Sequence, residues 1–333
     1  MLNFAHAPFF NRLRAALYVC VLGVCGVVAG MHADSARAAA TELRIGYQKS
    51  STLIVVLKAQ GTLEKALAPL GVHVTWAEFA SGLPLVEALN ANAVDFSADV
   101  ADTVPIFAQA ARADFVYVAQ EAPSPSAQAI VVHKDAAAQT VADLKGKRIA
   151  VAKAAGAHYL LLAALRRAGL TPNDVQIAYL APADGRAALE TGSVDAWVTW
   201  DPYLASVEHE PGLRVLTDGR GLASYQRYYL ASKPFADAHP EVLKVVYDAL
   251  VESGVWVKAH PDEAARLLAP VWGLDAATVE RANARRSYAV RLVVPEAFGE
   301  QQAIADAFTA AGFLPQTIDT RRVPLWKPAP SKQ

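Results

Sequence analysis

Two stretches of the chain share one layout: "GLPLVEALNANAVDFSADVAD" at 82–102 and "ADGRAALETGSVDAWVTWDP" at 183–202. Each runs helix, short polar turn, Val-Asp, strand, then a loop carrying aspartate. A duplicated unit of this kind implies two similar lobes facing one another. Around both copies, strand-like segments ("ELRIGYQ", "VHVTWAEF", "FVYVAQ", "KRIAVA") alternate with helix-like ones ("STLIVVLKAQGTLEKAL", "PIFAQAARA", "HYLLLAALRRA"). That order predicts an α/β fold, with parallel sheets covered on both faces. Pro123 and Pro125 interrupt the pattern and mark a first crossing between lobes, and "RYYLASK" brings the chain back. The expected boundaries are 41–124 with 229–333 for the first lobe and 125–228 for the second. The stretch from His239 to Leu314 is helical in pattern, and the Pro-rich tail is irregular.

Residues 1–40 do not fit either lobe. Arg12 and Arg14 lead into the apolar run "AALYVCVLGVCGVVAGM", followed by small residues at Ala36, Ala38 and Ala40. That is the order of a secretory signal, with cleavage near Ala40 and export to the periplasm. Both cysteines, Cys20 and Cys25, lie inside it, so the mature chain has neither disulfide nor cysteine nucleophile. Valine precedes each, which argues against a lipoprotein.

Charge excludes another class. The formal net charge is −1, and Arg285-Arg286 and Arg321-Arg322 are isolated pairs, so no basic stripe offers a nucleic-acid surface. Enzymatic and metal patterns are missing as well. There is no Gly-x-Ser-x-Gly, P-loop or His-Glu-x-x-His, and the histidines at 73, 133, 158, 209, 239 and 260 lack metal spacing. Asp99 and Asp102 read as loop caps rather than an acid–base pair. No catalytic residue, metal or cofactor is expected.

In doubly wound lobes, ligands gather at the carboxyl ends of strands, beside helix N-termini whose free N–H groups favour anions. Four turns occupy such positions: the Gln48 loop, Ser81-Gly82, Asp102-Thr103, and Ala155-Gly156-Ala157-His158. Two or three converging termini hold a monoanion without an arginine, each contributing about 0.3–1 kcal/mol. A second candidate is "WVTWDPY". Alternation puts Trp197 in the core and Trp200 in the cleft, with Tyr203 completing a flat wall, while Pro202 ends the strand and Asp201 serves ligand or backbone.

Taken in order, "LRIGYQKSS", "DTVPIFAQAARADFVYVAQEAP", "VADLKGKRIAVAKAAGAHYLLLAALRRAGL", "LAPADGRAALETGSVDAWVTWDPY" and "YYLASKP" resemble the aliphatic sulfonate-binding proteins of bacterial ABC importers. The resemblance spans nearly all of 41–327 and implies a type II periplasmic binding protein of two lobes joined by two crossing segments. Such a protein is expected to be a monomer that closes on an alkanesulfonate and delivers it to a membrane permease and its ATPase. Carried over by position, Gln48, Ser81, Gly82, Asp102 and Thr103 line the first lobe. Gly156, Ala157, His158, Trp200, Asp201 and Tyr203 line the second.

Two departures matter. "AAGAH" lacks the serine hydroxyls that relatives carry, and "SADVADTVP" adds Asp99, an acid that would make an anion site more costly. Taurine, nitrate, a sulfate ester or a pyrimidine vitamin precursor remain alternative ligands, with Asp201 as the acceptor for taurine's amine. A desulfinase-like enzyme on the same fold is the alternative activity.

Overall fold

A computed structural model describes residues 41–328 apart from His209. The leader reading therefore lies outside the described residues. The strands are β1 (Thr41–Gln48), β2 (Val72–Phe79), β3 (Phe96–Ala101), β4 (Phe115–Gln120), β5 (Gln128–His133), β6 (Arg148–Val151), β7 (Gln176–Tyr179), β8 (Ala196–Trp200), β9 (Leu213–Asp218) and β10 (Arg227–Ser232). The helices are α1 (Thr52–Gln60), α2 (Thr62–Leu67), α3 (Gly82–Asn90), α4 (Thr103–Ala110), α5 (Gly156–Arg167), α6 (Pro182–Glu190), α7 (Tyr203–Val207), α8 (Lys233–Ala238), α9 (Pro240–Ala259), α10 (Pro261–Trp272), α11 (Ala276–Ala284) and α12 (Phe298–Ala310). The run read as one helix from Ser51 is broken by Gly61, whose positive φ of 62° closes α1 and opens α2. Among the described residues no helix is long and apolar enough to cross a membrane.

The strands form two five-stranded sheets of matching order, β2-β1-β3-β10-β4 and β7-β6-β8-β5-β9. Four strands in each run the same way, but β10 runs antiparallel to its neighbours β3 and β4, and β5 runs antiparallel to its neighbours β8 and β9. The expectation of all-parallel sheets is corrected here, for a topological reason. Both odd strands follow a crossing from the other sheet. A chain arriving from across the cleft meets its new sheet where the parallel strands end, so it must run away from the cleft. The register agrees: Gln128 pairs with Trp200 at the end of β8, and Arg227 with Ala101 at the end of β3.

The Val-Asp repeat has a structural cause. Asp95 accepts the backbone N–H of Arg44 at 2.9 Å, and its own N–H donates to Arg44 O at 2.8 Å. Asp195 does the same with Arg148, at 2.8 Å in both directions. In each sheet the aspartate thus locks the start of one strand to its neighbour, while Val94 and Val194 enter the core.

One buried apolar cluster draws on both sheets and the C-terminal helix, including Val100, Val104, Ile130, Val151, Leu160, Trp200, Tyr228 and Phe308. Helix α12 packs on α4 beside the first sheet and on α5 beside the second. The tail read as irregular continues past it to the edge of β4, where Tyr117 N–H donates to Pro324 O at 3.0 Å and Trp326 N–H to Tyr117 O at 2.9 Å.

Candidate functional site

Between the sheets lies a cavity of about 10 Å³, lined by Gln48, Gly82, Ala101, Val104, Ala155, Gly156, Trp200, Tyr225 and Arg227. Every lining residue sits at a strand end, a helix start or a crossing, because that is where both sheets present their carboxyl edges. The first turns of α3, α4 and α5 meet here, and none is capped by a side chain. Their leading N–H groups keep their capacity for an acceptor.

Of the residues expected from sequence, Gln48, Gly82, Gly156 and Trp200 line the cavity. Trp197 is buried in the second lobe's core cluster, as alternation requires. Ser81 and Ala157 flank the lining residues, and Tyr203 meets Trp200 edge-on at 6.2 Å between ring centroids. The Thr103 hydroxyl is spent on a bond between the sheets, donating to Ala154 O at 2.6 Å. His158 is placed elsewhere. Its imidazole is fully buried, edge-on to Phe308, Phe313 and Tyr179, and its Nδ1 accepts the Ala154 N–H at 3.3 Å. Burial, aided by the charge on Lys153, lowers it to about 4, so the ring is a neutral part of the packing between α5 and the C-terminal segment.

Asp201 also stands apart from the cavity lining. Its two oxygens accept from Arg285 Nη1 at 2.7 and 2.8 Å, and Oδ1 takes the Ala205 N–H at 3.0 Å. Its structural alternative is the one observed.

Sequence reasoning missed Arg227. This side chain is 2% exposed and lines the cavity. Its Nη1 donates to Asp99 at 2.6 Å and its Nη2 to the Tyr225 hydroxyl at 2.8 Å, whereas Nε has no partner. The same Asp99 oxygen accepts from Arg286 at 2.9 Å, and Arg286 also binds Glu121 at 2.6 Å and Ser50 O at 3.1 Å. Two carboxylates and two guanidinium groups are therefore buried together in formal balance. Asp99 is a compensated buried charge, held by two guanidinium groups. A signal was available: an acid inside a six-residue, wholly buried strand needs a cation.

Asp102 locks the start of α4 to the returning crossing. Its Oδ2 accepts the Gln226 N–H at 3.0 Å, its own N–H donates to Gln226 O at 2.9 Å, and Oδ1 has no partner. Burial, with Glu300 adding to it, raises its carboxyl from 3.8 to about 7. A group that protonates more readily when folded stabilises the fold fully below the unfolded value and loses that contribution as pH rises through about 7. Asp102→Asn is therefore expected to gain on the wild type by roughly 2–4 kcal/mol between pH 4 and pH 8. Melting curves of both proteins across that range check it, and a pH-independent difference would contradict it.

The chain is similar to known proteins along most of its length. The family model described as "NMT1/THI5 like" matches residues 68–264. An aliphatic sulfonates-binding protein of Escherichia coli K12 is 38% identical over 95% of this chain and 98% of its own length. One from Bacillus subtilis 168 is 33% identical over 85% of each. The solved alkanesulfonate-binding protein SsuA of Xanthomonas axonopodis pv. citri, bound to MOPS, superposes with a TM-score of 0.80 at 38% identity, covering 84% of this chain and 96% of its own. A desulfurization enzyme shares the fold alone, at 17% identity.

Fold, interlobe cavity and relatives define a two-lobed substrate-binding protein of the periplasmic binding protein fold rather than an enzyme. The chain belongs to the aliphatic sulfonate-binding protein family, within the NMT1/THI5-like group.

Proposed function

We propose that this protein is exported, captures an aliphatic sulfonate in the periplasm and delivers it to an ABC permease with its ATPase. Arg227 carries the reading: a buried guanidinium on the cavity wall with an unpartnered Nε. The uncapped starts of α3 and α5 stand beside it, so charge and backbone donors converge on a sulfonate head. Trp200, Tyr225 and Val104 supply the apolar cover for the tail. Gln48, Gly82 and Gly156 touch the ligand, Thr103 and Asp102 hold the first lobe's edge in place, and Ser81, Ala157 and Tyr203 support their neighbours.

The cavity is about the size of one water, so admission requires the lobes to part. The crossings at 121–127 and 219–226 are the hinges. The first lobe is 41–124 with 229–333 and the second 125–228, except that Arg227 and Tyr228 move with β10 into the first.

Taurine fits less well, because both Asp201 oxygens are held by Arg285 and no carboxylate lines the cavity to take an amine. A pyrimidine ligand lacks the same acceptor. Nitrate would leave the aromatic wall unused.

Thermal melting of residues 41–333 with octanesulfonate, MOPS, taurine, nitrate and sulfate tests the reading. A ligand at a hundredfold excess over its Kd adds about 2.7 kcal/mol. Upward shifts are expected with the two alkanesulfonates and not with nitrate or sulfate. Stabilisation by taurine alone would move the assignment to aminosulfonates, and no shift from either alkanesulfonate would overturn it.

A further inference from the structure

Arg285 and Arg286 are adjacent but serve different sides of the cleft. Arg286 is buried in the first lobe, on Glu121, Asp99 and Ser50 O. Arg285, directly after α11, reaches the other way. Its Nη1 sits on both oxygens of Asp201, at 2.7 and 2.8 Å, and its Nη2 on Glu208. Asp201 directly follows β8 of the second sheet, and its N–H donates to Ala127 O, just before β5, at 2.9 Å. Among the described residues, every other ion pair joins groups on the same side, so the Arg285 pairs are the ones that bridge the lobes.

The bridge is placed to matter. Asp201 follows Trp200, which walls the cavity, and Arg286 shares Asp99 with Arg227, the cavity's cation. Asp201 is 5% exposed and the Arg285 side chain 17%, so water screens the pair only partly. When the lobes part, both groups are rehydrated and the attraction is lost. Its free energy therefore belongs to the closed arrangement.

We propose that Arg285 is an interlobe latch: a positioning residue that touches no ligand but sets how long the closed cleft keeps one. The proposal rests on the sulfonate reading for its kinetics but not for its conformational effect. Losing one partner of a desolvated charge pair is felt mainly in dissociation. Arg285→Ala is thus expected to release MOPS about tenfold faster or more, with an association rate within about twofold of wild type. Stopped-flow Trp fluorescence reads both rates. The melting temperature without ligand should fall only slightly, because the open form does not use the pair and limits the loss, and Arg285→Lys should recover part of the slow release.

The second measurement needs no ligand. Both native cysteines lie in residues 1–40, so Lys65→Cys and Asn173→Cys on residues 41–333 give two unique, exposed spin-label sites, one per lobe. Pulsed electron resonance should find a smaller closed population in Arg285→Ala than in the parent, with or without MOPS. Coincident distance distributions in both conditions would overturn the latch, as would an unchanged release rate or a loss of affinity matched by a lower melting temperature without ligand. If MOPS leaves the parent's distances and fluorescence unchanged, the sulfonate reading fails. The latch then still stands or falls on the ligand-free distributions.

Discussion

Arg227→Gln is expected to lower alkanesulfonate affinity about a hundredfold or more, the largest single-residue loss in the cleft. The guanidinium is 2% exposed and touches the cavity, so its charge acts where water does not dilute it. Glutamine keeps a hydrogen-bonding tip but removes the charge, and it leaves Asp99 with Arg286 as its remaining cation. That imbalance has a folding cost too, since breaking a buried ion pair by deleting one partner costs about 3–5 kcal/mol. A melting curve alone would confuse the two effects. Adding Asp99→Asn to Arg227→Gln restores the charge balance of the cluster and should return most of the lost stability. It should not return the affinity, because the ligand's countercharge is still missing. Titration calorimetry with MOPS on the single and double variants separates the outcomes. Full affinity in the single variant would remove Arg227 from the site, and restored affinity in the double variant would reduce its role to holding Asp99.

Why was this arginine hidden, when so much around it was legible? Features carried by local periodicity came through. The strand "AWVTW" places Trp197 and Trp200 on opposite faces by simple alternation, and they occupy the core and the cavity wall. The Gly82 and Gly156 turns stand where a strand gives way to a helix, and both line the cavity. Features that depend on distant partners did not come through. Arg227 is defined by Asp99 and Tyr225, and Asp99 in turn by Arg286, far along the chain in the segment after α11. The direction of β5 and β10 was hidden as well, because an antiparallel strand buried on both faces has the same apolar run as a parallel one. His158 follows the same rule. A helix-start position in a ligand-facing turn suggests a contact, but Phe308 and Phe313 arrive from the C-terminal segment and enclose the ring. Asp201 was undecided between ligand and scaffold until Arg285 came within reach.

Gly156→Ala is the second large effect, and its value lies in two expected signs that oppose each other. Gly156 opens α5 in the second lobe, and a Cβ built there would lie 2.5 and 2.6 Å from the ring carbons of Tyr225 and 3.1 Å from the Ala101 Cβ. Ala101 ends β3 in the first sheet, and Tyr225 is held by Arg227 and by its own positive φ of 54°. The methyl group thus meets the returning crossing, whose Tyr225 ring is tied by its hydroxyl to Arg227 of the first lobe, and the end of β3 beyond it. Overpacking of this kind costs about 1–3 kcal/mol, or roughly a five- to hundred-fold loss of affinity once closure is needed for binding. With the lobes parted the clash is gone, and alanine restricts the unfolded chain more than glycine does, which favours the folded state slightly. The unliganded variant should therefore melt at the wild-type temperature or slightly above while binding MOPS more weakly. Gly82 makes the contrast, since a Cβ there would sit 2.7 Å from Val104 Cγ2 within the same lobe and would be felt open or closed. If Gly156→Ala instead lowers the melting temperature without ligand as much as it lowers affinity, the close approach of α5 to Tyr225 persists in the open form. The glycine would then serve packing within the fold rather than closure on a ligand.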